Sequence, residues 1–460
     1  MSRHDHDHDH GPADLGLPSA VLGRATEGCA ESRLLVSRRA ALGITAGLFS
    51  SAFVPRWAEA ATGDPRLLVV VLRGGMDGIN TVIPHGDGSY NEMRGNIAIS
   101  RAQSIGLDDF FSLNKALTGF GDLFKAGDAA VVHAAGLPLR NRSHFDCQDN
   151  LENGLPGLGS NSTGWMNRLL TAMPQGSPIV SRGAIQIGEA PLLLRGPAPV
   201  LGWSPTWFQH PDATLTDRVV QMLRNTDGEL AGALERGLKA DALAEQVDDG
   251  SGWVSTFRQS FRGAGRLLAA ADGPRMAVLS VNNFDTHSDQ GVTSGYLFDA
   301  LAELDIALKD FKEAVGDVWK DTVIVMATEF GRTVHVNGTK GTDHGVGTVA
   351  MLAGGSVAGG KVLGTWPGIA KKDLYEESDL TPTTDLRAIF KGVLMDHIGV
   401  PKDVLDETVF PGSADVPAMT GLVKPSATSG ARLAAAAGTY RAAGLRPAAA
   451  IARYRQRYGA

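Results

Sequence analysis

Leu67-Leu68-Val69-Val70-Val71-Leu72 is a continuous apolar run with strong β preference, and it ends in the turn sequence Arg73-Gly74-Gly75-Met76-Asp77-Gly78. A run apolar at every position reads as a strand buried on both faces, since a half-buried strand alternates. Ala129 to His133, Met276 to Val281 and Thr322 to Ala327 repeat the pattern, with a shorter run at Thr348 to Leu352. Between them lie helical stripes: Lys115 to Phe124, Asp385 to Ile398, and Thr293 to Val315 with Leu297, Leu301, Leu304 and Leu308 on one face. Doubly buried strands alternating with amphipathic helices predict an α/β fold, a mostly parallel sheet flanked by helices on both faces. Chemistry in such sheets collects at the carboxyl ends of the strands. Residues 191–273 carry mainly helical patterns and read as an inserted helical region.

The ends of the chain read differently. Ser37-Arg38-Arg39-Ala40-Ala41-Leu42 sets two arginines before a weakly apolar stretch ending near Val54, and Ala58-Glu59-Ala60 follows. This is the layout of a twin-arginine export signal with a peptidase site. Residues 1–60 are therefore expected to be a cleaved signal peptide with a His/Asp-rich leader, handled by the twin-arginine translocase, and the mature protein to be periplasmic or secreted. No other stretch reaches the length of a permanent membrane span. Residues 61–420 form the expected α/β domain, and 421–460 an Ala/Arg-rich tail with seven basic and no acidic residues. With 43 Lys+Arg against 50 Asp+Glu the chain has no overall basic footprint for nucleic acid. Cys29 and Cys147 are its only cysteines, too few for a disulfide scaffold or a cysteine zinc cluster.

Polar clusters recur just past the predicted strands. Asp77 sits in a glycine-rich turn where a central carboxylate would repel a phosphate; it can bind a divalent cation or be satisfied by backbone N–H groups. In Arg140-Asn141-Arg142-Ser143-His144-Phe145-Asp146, Ser143 can cap a helix or serve as a nucleophile, with Arg140 and Arg142 placed to clamp an anionic ester. In Phe284-Asp285-Thr286-His287, Asp285 and His287 point to the same side of an extended segment and can share a metal. Glu329 follows a strand as a ligand or general base, and Asp343-His344 lies in a glycine-flanked turn.

As a set, VLRGGMDGINTVIP, RSHFDCQDNLENG, FDTHSDQ, ATEFGRT, GTDHG and WPG resemble the bacterial family called domain of unknown function 1501, over about Leu67 to Phe410. That family is similar in turn to the alkaline phosphatase and sulfatase superfamily. The resemblance implies a metal-dependent hydrolase of phosphate or sulfate esters, or a catalytically inactive relative that binds an envelope glycan or protein partner. It implies catalytic roles for Ser143, His144 and Arg142, and metal roles for Asp77, Asp285, His287, Glu329, Asp343 and His344. Asp285 and His287 are two residues apart where the superfamily has four, and Phe330 stands where it has an imidazole. The remaining oxygen-rich set implies a single divalent metal, Zn or a harder ion such as Mg, Mn or Ca.

Overall fold

The computed structural model describes residues 64–159, 162–173, 177–188, 191–205, 213–245 and 255–425. The segment expected to be an export signal and all but the first residues of the basic tail lie outside them. Among the described residues a nine-stranded sheet is built from β1 (Arg66–Leu72), β2 (Ala129–Gly136), β3 (Ala184–Ile187), β4 (Leu201–Trp203), β5 (Met276–Val281), β6 (Thr322–Ala327), β7 (Thr348–Ala353), β8 (Val362–Leu363) and β9 (Thr384–Asp385). Their order is β8-β2-β7-β6-β1-β5-β3-β4, with β9 also pairing β2. All pairings are parallel except those of β7, which runs against both β2 and β6.

Every residue of β1 is buried. Leu67, Val69 and Val71 enter one apolar core, Leu68, Val70 and Leu72 the other, as the period of two requires. The first core is closed by Leu386, Ile389 and Phe390 of the helix Leu386–Val393, the second by the helices Thr256–Ala269 and Tyr296–Val315. On the last of these, Leu297, Leu301, Leu304 and Leu308 are buried, the stripe that the sequence spacing predicts. The stretch 191–273 also gives β4 to the sheet and Phe261, Leu267 and Leu268 to its second core, so it joins the main body at both ends. No helix among the described residues is long and apolar enough to cross a membrane.

The register brings the chemistry to one edge. Leu72 pairs with Val281 and Val71 with Ala327, so the parallel strands β6, β1 and β5 end level with one another. The segments carrying Asp77, Asp285 and Glu329 leave from those ends.

His133 on β2 is buried between Phe111 and Trp366. Its Nε2–H donates to Val82 O at 2.8 Å and its Nδ1 accepts the Ala134 N–H at 2.8 Å, so the neutral ring is fully satisfied. Burial pushes its pKa down from 6.5 to about 4. The unfolded chain therefore binds the proton first, and stability present above pH 6.5 is expected to fall as pH drops to about 4. A shift of about 2.5 units corresponds to about 3 kcal/mol. His133→Gln should be less stable than wild type at pH 8, and urea unfolding should show the gap narrowing by that amount at pH 4. A gap independent of pH would remove this assignment.

Candidate metal centre

The two glycines after β1 let three segments meet. Gly74 has φ +118°, and a Cβ there would lie 2.5 Å from Asp285 N; a Cβ on Gly75 would lie 2.3 Å from the Phe330 ring. Both glycines thus serve close approach of the chain beyond β5 and β6. In that approach Phe284 and Thr286 are buried while Asp285 and His287 are exposed, the alternation of an extended segment. Thr286 O accepts the Thr342 N–H at 3.1 Å, tying this segment to the turn that carries Asp343 and His344. The turn is braced on its other side by the antiparallel bridge between Arg332 and His344.

His144 arrives from a third direction, as the first residue of the helix His144–Asn153. His144, Asp285 and His344 offer ligand atoms all within 4.8 Å of one another. His344 Nε2 is 3.1 Å from His144 Nε2 and 2.9 Å from His287 Nε2. Asp285 Oδ1 lies 3.1 Å from His287 Nε2 and 3.3 Å from His344 Nε2, and Oδ2 is 3.4 Å from His144 Nε2. Three imidazoles and one carboxylate therefore converge.

The opposite ring nitrogens explain what converges. His344 Nδ1 is 2.8 Å from Arg142 O, which can only accept, so Nδ1 carries the proton and Nε2 a lone pair. His144 Nδ1 is 2.8 Å from Glu329 Oε1, and His287 Nδ1 is 3.3 Å from Asp343 Oδ1. Each carboxylate or carbonyl holds an Nδ1 proton, which turns three Nε2 lone pairs toward one another. Neutral lone pairs facing at about 3 Å repel, and a cation between them relieves this; the backing of each imidazole by an acceptor is the usual outer shell of a metal histidine. The donor set fits a divalent ion of the zinc type, bound by nitrogen and one oxygen.

The charges agree. Burial alone would raise the Glu329 pKa, but hydrogen bonds from His144, Gln148 and the backbone N–H of Gly74 bring it down to about 2, so it is ionised. The hydrogen bond to Glu329 raises the His144 pKa, while burial lowers that of His344. Burial pushes Asp285 up, and the Arg332 guanidinium hydrogen-bonded to it overcomes this and leaves it lowered.

The structure separates the predicted residues into three groups. Asp285, His287 and His344 lie together. Glu329 and Asp343 instead stand behind the donors: Glu329 Oε1 takes Gly74 N–H, His144 Nδ1 and Gln148 Nε2, and Oε2 takes the Thr328 hydroxyl. His144, expected beside the nucleophile, points its Nε2 into the cluster. Asp77 is apart. Its Oδ1 accepts the Ile79 and Asn80 N–H groups and its Oδ2 takes Arg94 and Gln290, so four donors fill its lone pairs and a guanidinium stands where a metal was expected.

Ser143 caps its helix, accepting the Asp146 N–H at 3.4 Å. Arg142 is held by Asp379 at 2.7 Å and Glu376 at 2.8 Å, so its charge is already matched. Phe330 does not ligate; it is buried with its ring centroid 4.8 Å from those of both His144 and His344, a wall against which the imidazoles pack. The oxygen-rich set read from the sequence thus becomes nitrogen-rich, because two carboxylates withdraw behind imidazoles and His144 enters. Sequence reasoning missed Arg94, Gln290 and Arg332. Arg332 lay inside the ATEFGRT motif and Gln290 closes the FDTHSDQ motif; Arg94 carried no signal.

A family profile described as "Protein of unknown function (DUF1501)" matches residues 129–409. No curated protein matches the sequence. Among solved structures, the chain is similar to the C-terminal periplasmic domain of EptC from Escherichia coli in complex with Zn, at 8% identity and TM-score 0.32, covering 64% of this chain and 74% of that one. It is similar to the lipoteichoic acid synthase LtaP from Listeria monocytogenes at 10% identity and TM-score 0.35, covering 83% and 92%. The phosphonate monoester hydrolase of Agrobacterium radiobacter is similar at 12% identity and TM-score 0.34, covering 74% of each chain.

Proposed function

The chain belongs to the DUF1501 family of proteins of unknown function, and we propose that it is an exported, metal-dependent hydrolase of phosphate or sulfate esters. The observation that supports this reading most is the convergence of the Nε2 atoms of His144, His287 and His344 on Asp285. These four residues would hold one divalent ion, zinc in preference to Mg or Ca given three nitrogen donors. A bound ion would supply Lewis-acid charge for an ester oxygen as negative charge develops on it. Glu329, Asp343 and the Arg142 carbonyl keep the Nδ1 protons in place, so the rings cannot turn. Ser143 stands at the N-terminus of a ten-residue helix, immediately before His144, where the dipole favours an oxyanion. Its hydroxyl is the proposed attacking group. The leader at Ser37 to Leu42 supports export through the twin-arginine translocase to the periplasm or beyond.

A second reading has its own support. Arg142 is neutralised and Ser143 is spent on a helix cap, so neither group expected to engage an ester is free. That favours a non-catalytic protein binding an envelope glycan or protein partner.

One experiment separates the two. Protein isolated from the extracytoplasmic fraction without chelators should carry one metal per chain and turn over at least one phosphate or sulfate ester, losing turnover on chelation and regaining it with metal. Ser143→Ala should cost about 1 kcal/mol of stability as a lost cap, abolish turnover and leave metal content unchanged. Full metal content with no turnover of any ester supports the binding reading; no metal sinks the hydrolase.

A further inference from the structure

Arg332 lies behind the cluster with its side chain fully buried, and its Nη2 donates to Asp285 Oδ1 at 2.6 Å. Its main chain pairs with His344 in an isolated antiparallel bridge, flanked by Thr333 N–H to Asp343 O at 2.9 Å and Gly345 N–H to Gly331 O at 2.9 Å. One residue thus touches two of the four donor-bearing residues, Asp285 through its side chain and His344 through its backbone. Its Nε and Nη1 are buried with no hydrogen-bond partner among the described residues. A guanidinium cannot shed its charge, and taking it out of water is costly unless its donors are matched. A residue kept only to fill space would be apolar. Here the one side-chain hydrogen bond goes to Asp285, whose side chain is 44% exposed and would otherwise be free to turn into solvent.

We infer that Arg332 is a positioning residue that holds Asp285 as the fourth donor facing the three imidazoles. Its charge opposes rotation of the carboxylate outward, and its backbone bridge fixes His344 in the same frame. The inference rests on the reading of His144, Asp285, His287 and His344 as metal donors.

The test uses the full mature chain. Zn²⁺ affinity is measured by competition with a chromophoric chelator and the ligand field by visible absorption of the Co²⁺ form, for wild type, Arg332→Met, Arg332→Lys, Asp285→Asn and the double variant Asp285→Asn with Arg332→Lys. Arg332→Met is expected to lose about 10- to 100-fold in Zn²⁺ affinity, as loss of an outer-shell partner does. Arg332→Lys keeps the charge without the planar fork and should lose less, with a changed Co²⁺ spectrum. If Arg332 acts through Asp285, the lysine change should weaken binding no further once Asp285 is Asn. Should the methionine variant not fold, the charge-conserving lysine variant and the double variant carry the test. Wild-type affinity with an unchanged Co²⁺ spectrum in Arg332→Lys overturns the inference, whatever happens to the unfolding temperature. So does a full second loss in the double variant. Wild-type protein that takes up no stoichiometric Zn²⁺ overturns the metal reading itself, an outcome separate from either.

Discussion

His344→Ala is expected to weaken metal binding at the centre more than any other single change. His344 Nε2 is the hub, 2.9 Å from His287 Nε2, 3.1 Å from His144 Nε2 and 3.3 Å from Asp285 Oδ1. Spreading the roughly 10–16 kcal/mol of a tetrahedral protein zinc site over four donors puts about 3 kcal/mol on one imidazole. That is a loss of about two orders of magnitude in affinity. The effect on the metal-free protein should be small or of opposite sign, because the substitution removes a lone pair that faces two others. Metal analysis of the purified variant, with thermal unfolding in the presence and absence of Zn²⁺, checks both halves. Wild type should gain stability with Zn²⁺ by mass action and the variant should gain about 3 kcal/mol less. A variant with wild-type Zn²⁺ affinity would show that the three rings do not form the centre.

Glu329→Gln should have the next largest effect, and it acts without touching the ion. The carboxylate is fully buried and accepts from His144 Nδ1, Gly74 N–H, Gln148 Nε2 and the Thr328 hydroxyl. An amide of the same shape turns an NH₂ toward one of those donors and surrenders the charge that holds the His144 proton on Nδ1. Metal affinity is expected to fall about 10- to 100-fold. The stability effect has a defined pH window. The folded pKa is lowered from 4.5 to about 2, so the contribution is fully present above pH 4.5 and is lost as pH falls to about 2. A shift of about 2.5 units is worth about 3 kcal/mol. Wild type should therefore lose its advantage over Glu329→Gln across that window, measured as unfolding midpoints at pH 7, 4 and 2.5. A constant difference across the window would mean that the carboxylate is not held ionised by these partners.

Much of the scaffold was legible from local pattern. The apolar runs at Leu67 to Leu72, Met276 to Val281 and Thr322 to Ala327 are neighbouring parallel strands of one sheet, because a strand buried on both faces must be apolar at every position. The polar clusters after them lie at one edge because parallel strands end on the same side. Alternation in Phe284-Asp285-Thr286-His287 placed both polar side chains on one side, and the Leu297 to Leu308 stripe marked its helix. These are properties of a few consecutive residues, and the backbone period reads them out directly.

The partners of each polar group were not legible. His144 meets Glu329 across 185 residues and His344 across 200, and no local period encodes such distances. Asp77 looked like a ligand until Arg94, delivered by the packing of a later helix, occupied it with Gln290. Glu329 looked like a ligand until the fold set His144 between it and the centre. Phe330 looked like a lost imidazole, but the ring beside it came from the helix that begins at His144. Local pattern dictates which side chains reach the carboxyl edge, since that follows from where the strands end. Tertiary structure alone decided which of them face one another, since a carboxylate binds whichever donor long-range packing brings within about 3 Å.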